Sequence, residues 1–327
     1  MEKRRSLLSA PSHLEYGHLP TFQDDGIDLL ELLSAIWQRK MHILLATTLG
    51  SVIALAIAFW LPNVYTSTVM LAPSSDQQGG GLSALASQFG GLASLAGVSL
   101  GSTAIDTTAI AIQIGQSRQF AVRFVRDHHL EVPLMAATRM NKKTGKLEID
   151  SDIYNTAEKK WVRKVSEGES VEPTDWELFK VISKIITIEQ DKKTGFITVT
   201  VDFLSPTIAK QWADWFVDDL NAYMKVRDQI DAKRNINYLK LQLEKTSVTD
   251  MQTIFYQLIE EQTKTLMLSE ANPEYVFKTL DPAVIAEEKT KPKRALIAVL
   301  GTVLGGMLGV LTALIRHAIC RRRIAGT

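Results

Sequence analysis

Two long stretches without charged residues constrain this 327-residue chain more than any other feature. Residues 41–61 and 295–315 contain only apolar, small or neutral polar side chains, and Lys40, Arg294 and Arg316 lie at their edges. A bilayer core needs about 20 apolar helical residues. Helices that are apolar on every face are rare in soluble domains of this size. We therefore predict transmembrane helices at 41–61 and 295–315 rather than two buried core helices.

Aromatic and basic residues mark the edges of the first stretch. Trp37 and Trp60 are 23 positions apart, which is about 35 Å of helix. That spacing places one indole near each membrane interface, where tryptophan is enriched. Arg39 and Lys40 follow the first indole, and bases beside a membrane commonly contact anionic lipid. We therefore predict that Trp37, Arg39, Lys40 and Trp60 lie at the membrane interface.

The distribution of charge predicts the topology. Residues 1–40 hold five Lys/Arg, and residues 316–327 hold four with no acid, whereas residues 62–294 hold 28 bases and 30 acids. Short basic ends stay in the cytoplasm, and a long loop is translocated largely regardless of its charge. We predict a cytoplasmic segment at 1–40, a cytoplasmic tail at 316–327 and a translocated domain at 62–294. Lys291, Lys293 and Arg294 lie just outside the second span and conflict locally with this rule.

Short strands and a helix are predicted in the first part of the translocated domain. Residues 63–72 are rich in β-branched and aromatic side chains and read as a strand. Residues 184–188 and 196–203 flank an Asp-Lys-Lys-Thr-Gly turn, which predicts a hairpin with left-handed glycine. The Lys-Lys-Thr-Gly sequence recurs at 142–145 as a second turn. Residues 110–130 have a helical period.

One helix of unusual length is predicted in the second part. Ser205 and Pro206 form a strong helix start, and the helical pattern continues to residue 246 without glycine or proline. This is about 60 Å of helix, which should extend from the compact domain and pack on another copy of the chain. Residues 246–250 predict a bend or a split, and 275–280 a short strand. The predicted fold class is α+β: two transmembrane helices flank a domain with a small mixed sheet and a long, extended α-helix.

The third uncharged run, residues 77–105, differs from the two spans. Seven of its 29 residues are glycine, and each glycine costs a helix up to about 1 kcal/mol relative to alanine. We read the run as a loop of small residues. It could be a mobile linker, a surface shielded by a neighbouring subunit or the membrane, or a re-entrant membrane segment.

No pattern typical of catalysis or metal binding is found. His128 and His129 are adjacent and point apart on a helix, so we read them as a solvated helix end. Asp218 and Asp219 read as an exposed helical stripe without a partner. The single cysteine, Cys320, excludes an internal disulfide. We predict no enzyme, no cofactor and no metal, and the net charge of +1 gives no indication of nucleic-acid binding.

Basic residues along the long helix leave two readings open. Arg227, Lys233 and Arg234 could form a solvated helix face. Alternatively, they could contact an anionic glycan or a lipid-linked pyrophosphate.

Glycines in the second span suggest close helix packing. Gly301, Gly305 and Gly309 recur every four residues, with Gly306 beside them. Such a ridge of small residues lets another helix approach closely. We predict contact with the first span or with a neighbouring subunit, although membrane helices also simply tolerate glycine.

Several segments together resemble the Wzz-type polysaccharide co-polymerases, also called chain length determinants. Residues 27–33, Ile-Asp-Leu-Leu-Glu-Leu-Leu, run into Ile-Trp-Gln-Arg-Lys at 36–40 and the first span. Tyr-Thr-Ser at 65–67 follows that span. Lys-Pro-Lys-Arg at 291–294 precedes the glycine-bearing second span, and the small-residue run near 90–101 is similar to some members. The proline segment of the family corresponds here to Pro282 and Pro292 only.

The resemblance implies an inner-membrane protein whose α+β domain is periplasmic. It implies a ring-like homo-oligomer that acts with a Wzy-type polymerase on lipid-linked polysaccharide to set the modal length of O-antigen or a related glycan. Members are not themselves enzymes. The larger relatives carry a cytoplasmic tyrosine kinase, for which the 12 residues after the second span are too few.

Other functional classes remain as alternatives. The chain could be a capsule or exopolysaccharide export partner that works with a separate tyrosine kinase. A two-span sensor would need a cytoplasmic signalling module, and a membrane-anchored enzyme would need a catalytic set that the sequence does not show.

Overall fold

A computed structural model describes residue 37 and residues 40–74, 107–141 and 143–325, with the backbone alone given for 317–325. Our interpretations of the glycine-rich run at 77–105 and of the segment before residue 37 lie outside the described residues. The chain forms two compact units. One contains most of the two apolar helices, and the other contains residues 57–294.

The elements follow one another along the chain as helices α1–α8 and strands β1–β8. Their bounds are α1 Lys40–Trp60, β1 Tyr65–Pro73, α2 Thr107–Gly115, α3 Arg118–Asp127, α4 Glu131–Ala136, β2 Ala137–Met140, β3 Leu147–Ile149, β4 Tyr154–Asn155, β5 Lys160–Trp161, α5 Asp175–Ile185, β6 Ile186–Gln190, β7 Ile197–Phe203, α6 Pro206–Lys245, α7 Thr249–Ala271, β8 Phe277–Asp281 and α8 Arg294–Ala325.

A four-stranded sheet in the order β6-β7-β1-β8 forms the centre of the second unit. Tyr65 lies opposite Phe203 and Leu71 opposite Ile197, so β1 and β7 are antiparallel over the whole length of β7. The pairs β6–β7 and β1–β8 are antiparallel as well. The predicted α+β class is confirmed, but the sheet is antiparallel rather than mixed. Strand β1 lies between β7 and β8 and runs antiparallel to both of them.

The hairpin between β6 and β7 is confirmed, and its turn is held by side-chain chemistry. Asp191 Oδ1 accepts a hydrogen bond of 2.7 Å from the N–H of Lys193, and Gly195 has φ 74°. The backbone N–H bonds of this turn lower the pKa of Asp191. The second turn uses the same device between β2 and β3, where Asn141 caps the turn and Gly145 has φ 68°.

The core lies between one face of the sheet and the first half of α6. Alternate residues of β7 are buried, as expected for a strand with one face toward the core. On α6, Trp212, Phe216 and Leu220 are spaced by four residues and are each at most 2% exposed. Burying each such side chain contributes about 1.5–3 kcal/mol. The buried part of β7 comprises Ile197, Val199, Val201 and Phe203.

A second group of helices completes this core. Phe120 and Phe124 of α3 pack edge-on against Phe216 of α6 at centroid distances of 5.3 and 5.5 Å. Helix α5 begins with a capping box between Thr174 and Glu177.

An ion pair also stabilises the start of α5. Arg163 donates to both carboxylate oxygens of Glu177, at 2.7 and 2.8 Å. The hydrogen bond from Arg163 and the backbone bond from Thr174 lower the pKa of Glu177 to about 2, against an opposing contribution from burial.

The predicted long helix is confirmed as α6, and the predicted split lies between Lys245 and Thr249. Helix α7 then runs back along α6, because Asn235 Nδ2 donates to Gln262 Oε1 at 3.2 Å and Lys225 Nζ donates to the Glu270 carbonyl at 3.4 Å. Part of the expected partner of α6 therefore comes from the same chain, a contact between distant residues that the helical pattern does not show.

Candidate functional site

The candidate functional features of the described residues are surfaces and helix contacts. Among the described residues, no group of three or more His, Cys, Asp or Glu side chains could hold a metal ion. Four places matter instead: the contact between α1 and α8, the junction where the chain enters and leaves the sheet, the α6–α7 hairpin, and a groove between α3 and α6.

Glycines of α8 face α1 at very short range. A Cβ added at Gly301 would lie 2.1 Å from Ala54 Cβ, and one at Gly305 would lie 3.0 Å from the Ala46 carbonyl oxygen. A Cβ at Gly309 would likewise lie 3.1 Å from Ala46 Cβ. Only glycine permits this separation of the two backbones.

The remaining glycines differ in their surroundings. A Cβ at Gly306 would meet only the hydroxyl of Thr47, at 3.5 Å, so Gly306 lies at the edge of the contact. Gly50 of α1 lies inside it, since its Cβ would be 2.8 Å from Gly305 Cα. We did not single out Gly50 in the sequence, although Ala46, Gly50, Ala54 and Ala58 recur every four residues and form a ridge of small residues like that of α8. The role of the four α8 glycines inside a membrane stays a prediction.

The outward faces of α1 and α8 are apolar and exposed. Both helices are long and apolar enough to cross a membrane, and only 11% of the most apolar 18-residue stretch of each helix is buried. This distinguishes them from core helices and is compatible with a two-pass membrane protein. Trp37 is 72% exposed and Trp60 is 89% exposed, with Lys40 Nζ 5.9 Å from the centre of the Trp37 ring. Arg39 lies outside the described residues.

Strand β1 is tied to the segment that leaves the domain. Asp202 of β7 accepts a hydrogen bond from the Thr66 hydroxyl and another, at 2.6 Å, from Lys291 Nζ. Ser67 donates to the Val284 carbonyl at 2.9 Å, and Val64 N–H donates to the Lys291 carbonyl at 2.9 Å. The Thr-Ser pair that follows the first apolar stretch therefore holds the residues that precede the second.

The two predicted prolines bracket this exit segment. Pro282 is exposed and directly follows β8, whereas Pro292 is partly buried and follows a cis peptide bond. Proline offers no backbone N–H, so the bonds of this segment come from the residues between the two. The role of Pro282 and Pro292 as a pre-membrane proline segment stays a prediction.

Helix α3 ends against α6 through a polar contact that the sequence did not indicate. His128 Nε2 lies 2.9 Å from Asp219 Oδ2, and the imidazole stacks on Trp215 at 4.3 Å and 10°. Our readings of His128 as part of a solvated helix end and of Asp219 as unpartnered are therefore wrong. The partners are 91 residues apart in the chain, a separation at which local spacing has no predictive value.

Beside this contact, a groove of about 340 Å³ lies between α3 and α6. Its charged lining consists of two arginines and three aspartates: Arg123, Arg227, Asp127, Asp219 and Asp231. The guanidinium of Arg123 lies over the Tyr223 ring at 5.5 Å. This balance does not favour a strongly anionic ligand in the groove.

The three basic residues singled out on α6 do not converge on one site. Arg227 lines the groove, whereas Lys233 and Arg234 are exposed outside it. Arg234 Nη1 pairs with Asp231 Oδ1 at 3.3 Å. Contact of these bases with an anionic glycan or a lipid pyrophosphate stays a prediction.

Two family models match the chain. Residues 25–128 match the chain length determinant protein (Wzz) model, and residues 237–318 match a model described as the G-rich domain on putative tyrosine kinase (GNVR). No curated protein matches the chain significantly.

Solved structures give a weaker likeness. A full-length bacterial polysaccharide co-polymerase has 15% identity and a TM-score of 0.37, with 90% of this chain and 99% of that chain covered. A fragment of WzzB, a polysaccharide co-polymerase from Salmonella Typhimurium, has 13% identity and a TM-score of 0.29, with 70% and 100% covered. The predicted resemblance is confirmed for part of the chain: residues 25–128 match the Wzz chain length determinant domain.

Proposed function

We propose that this protein sets the modal chain length of a surface polysaccharide, with O-antigen as the first candidate, and that it acts with a Wzy-type polymerase. The observation that carries the proposal is the match of residues 25–128 to the chain length determinant model. The contacts of Thr66 and Ser67 with the exit segment support it, because these residues lie inside the matched region.

The proposed location is the bacterial inner membrane. Helices α1 and α8 would cross it as the spans 41–61 and 295–315, which leaves 1–40 and 316–327 in the cytoplasm and 62–294 in the periplasm. The exposed apolar faces of both helices support this placement, as does the basic charge of the short ends.

The proposed working form is a ring-like homo-oligomer. Beyond residue 232 of α6, large apolar side chains of the α6–α7 hairpin are exposed, although α7 packs on α6. They include Tyr238, Leu241, Val248, Met251, Tyr256 and Met267, each at least 41% exposed. Exposed apolar surface of this extent is typical of protein contacts, and copies of the same chain would bury it.

The proposed mechanism is that of a scaffold and not of an enzyme. The oligomer would assemble around or beside the polymerase, and its shape or surface would bias the moment at which the lipid-linked glycan leaves. The paired strands and hydrogen bonds at the junction support a rigid role for the domain, since its entering and leaving segments are held together.

Deletion of the gene and electrophoresis of the surface polysaccharide test this proposal. We expect the modal band to disappear while polymerised glycan of dispersed length remains. Complementation with the wild-type gene should restore the band. An unchanged length distribution after deletion would refute the proposal.

A second candidate is a co-polymerase for capsule or exopolysaccharide that works with a separate tyrosine kinase. The match of residues 237–318 to the G-rich domain on putative tyrosine kinase favours it. In that case, deletion would leave the O-antigen ladder intact and change the amount or size of the capsule. Pull-down of a tyrosine kinase by the full-length protein would further support this candidate.

A further inference from the structure

A cleft of about 440 Å³ opens within the second unit, where the chain passes from α1 into β1. One wall is formed by the end of α1 and the residues that follow it, and the other by strand β2 of the small hairpin. Among the lining residues are Phe59, Trp60, Tyr65, Arg139 and Arg294.

The charged side chains that line this cleft are both basic, although the Glu148 carboxylate beside the cleft pairs with one of them. Arg139 and Arg294 line it, and no Asp or Glu is among its lining residues in the described part of the chain. The groove between α3 and α6 has three aspartates against two arginines, so the two depressions differ in the ligand they favour. Two guanidinium groups in one cleft without a lining carboxylate favour an anion.

Both arginines keep donors for such an anion. Arg139 is 73% exposed and uses Nε to donate to Glu148 Oε2 at 2.6 Å. Arg294 donates from Nε to the Ala58 carbonyl and from Nη2 to Asn63 Oδ1, both at 3.0 Å. A guanidinium has five N–H donors in a planar fork. Within the described residues, these bonds leave both Nη groups of Arg139 and Nη1 of Arg294 for a ligand.

The rim of the cleft is apolar and aromatic. Phe59 is 70% exposed and Trp60 is 89% exposed, and the Arg294 guanidinium lies 5.1 Å from the centre of the Phe59 ring. Tyr65 adds a second amphipathic ring. A soluble anion would gain nothing from this rim, whereas an amphiphile would place its hydrocarbon there and its anionic group on the arginines.

We propose that this cleft binds the phosphate group of a membrane lipid. The proposal rests on the membrane placement given above, which puts Trp60 at the outer interface. It also accounts for bases on the translocated side of the second span, where the charge rule disfavours them. Lys291 is neutralised by Asp202, and Arg294 would be neutralised by the lipid.

The shared chemistry is a phosphate ester on a hydrocarbon chain, which two sources supply. One is an anionic phospholipid, and the other is a polyprenyl phosphate of the kind that carries growing glycans. Both present a phosphate to the arginines and hydrocarbon to the aromatic rim.

Native mass spectrometry of the full-length protein in detergent tests the site. Phosphatidylglycerol, a polyprenyl phosphate and diacylglycerol, which lacks phosphate, are titrated separately. We expect both phosphate lipids to be retained and diacylglycerol to be lost. The phosphate lipid with the lower Kd identifies the source. Equal retention of diacylglycerol would overturn the proposal, because the apolar rim alone would then explain binding.

Variants separate the cleft from general surface charge. Arg139→Gln should weaken binding of the phosphate lipid about tenfold, and Arg294→Gln should weaken it at least as much. Lys293→Gln is the matched control, since it removes the same charge from the neighbouring position but does not line the cleft. An unchanged Kd in Arg139→Gln, or an equal loss in Lys293→Gln, would overturn the proposal. Lipid retention is measured on purified protein, so its failure is distinguishable from failure of length regulation in cells.

Discussion

Asn221 is a buried polar residue whose removal should destabilise the domain more than its size suggests. It is 3% exposed on α6. Its Oδ1 accepts from the N–H groups of Val276 and Phe277 at 3.0 and 2.9 Å, and its Nδ2 donates to the Phe277 carbonyl at 3.1 Å. Phe277 pairs with Pro73 of β1, which has no N–H to donate. Asn221 Nδ2 therefore supplies the Phe277 carbonyl with a donor that Pro73 lacks.

The magnitude of the effect follows from these three bonds. Each contributes about 0.5–1.5 kcal/mol, and a buried group left without a partner costs about 1–3 kcal/mol. Asn221→Ala gains up to about 0.7 kcal/mol of helix propensity. We expect a net loss of about 2–4 kcal/mol in the free energy of unfolding. For a domain of this size, that corresponds to a Tm lower by about 5–15 °C.

Asn235→Ala is the matched control, because the same substitution on the same helix removes an exposed bond to Gln262. It should change the free energy of unfolding by less than about 0.5 kcal/mol. Thermal unfolding of the full-length protein in detergent, followed by tryptophan fluorescence, measures both variants. Equal Tm shifts for Asn221→Ala and Asn235→Ala would refute the reasoning.

Two further predictions concern the helix contact and the ion pair. Gly305→Leu should force α1 and α8 apart and lower the Tm of the full-length protein in detergent, whereas Gly306→Leu, at the edge of the contact, should change the Tm much less; equal shifts in both would contradict the contact. Because the pKa of Glu177 falls from 4.5 to about 2 on folding, its contribution to stability is complete above pH 4.5 and is lost as the pH falls toward 2. Glu177 is 37% exposed, so solvent screening reduces that contribution to about 1 kcal/mol. Glu177→Gln should therefore destabilise the protein at pH 7 but not at pH 2. Urea denaturation at the two pH values measures this difference.

Features encoded by neighbouring residues could be predicted from the sequence. The β6–β7 turn depends on Asp191 and Gly195 within five positions, and the start of α6 depends on Pro206 at its first turn. The split after Lys245 is local in the same way. The apolar helices were predictable because length and composition alone decide whether a helix can span a bilayer.

Features that depend on contacts between distant segments could not be predicted. The bond between His128 and Asp219 and the packing of α7 on α6 join residues that share no local pattern. The antiparallel arrangement of the sheet is a further case. It depends on which strands become neighbours, and the order β6-β7-β1-β8 brings together strands that are far apart in the sequence. The cleft around Arg139 and Arg294 combines residues 155 positions apart.

Reconstitution tests the central claim most directly. The polymerase and its lipid-linked repeat units are placed in proteoliposomes with or without this protein, and the length distribution of the glycan is measured by electrophoresis. We predict a broad distribution without the protein and a defined modal band with it. The same distribution in both preparations would contradict the account.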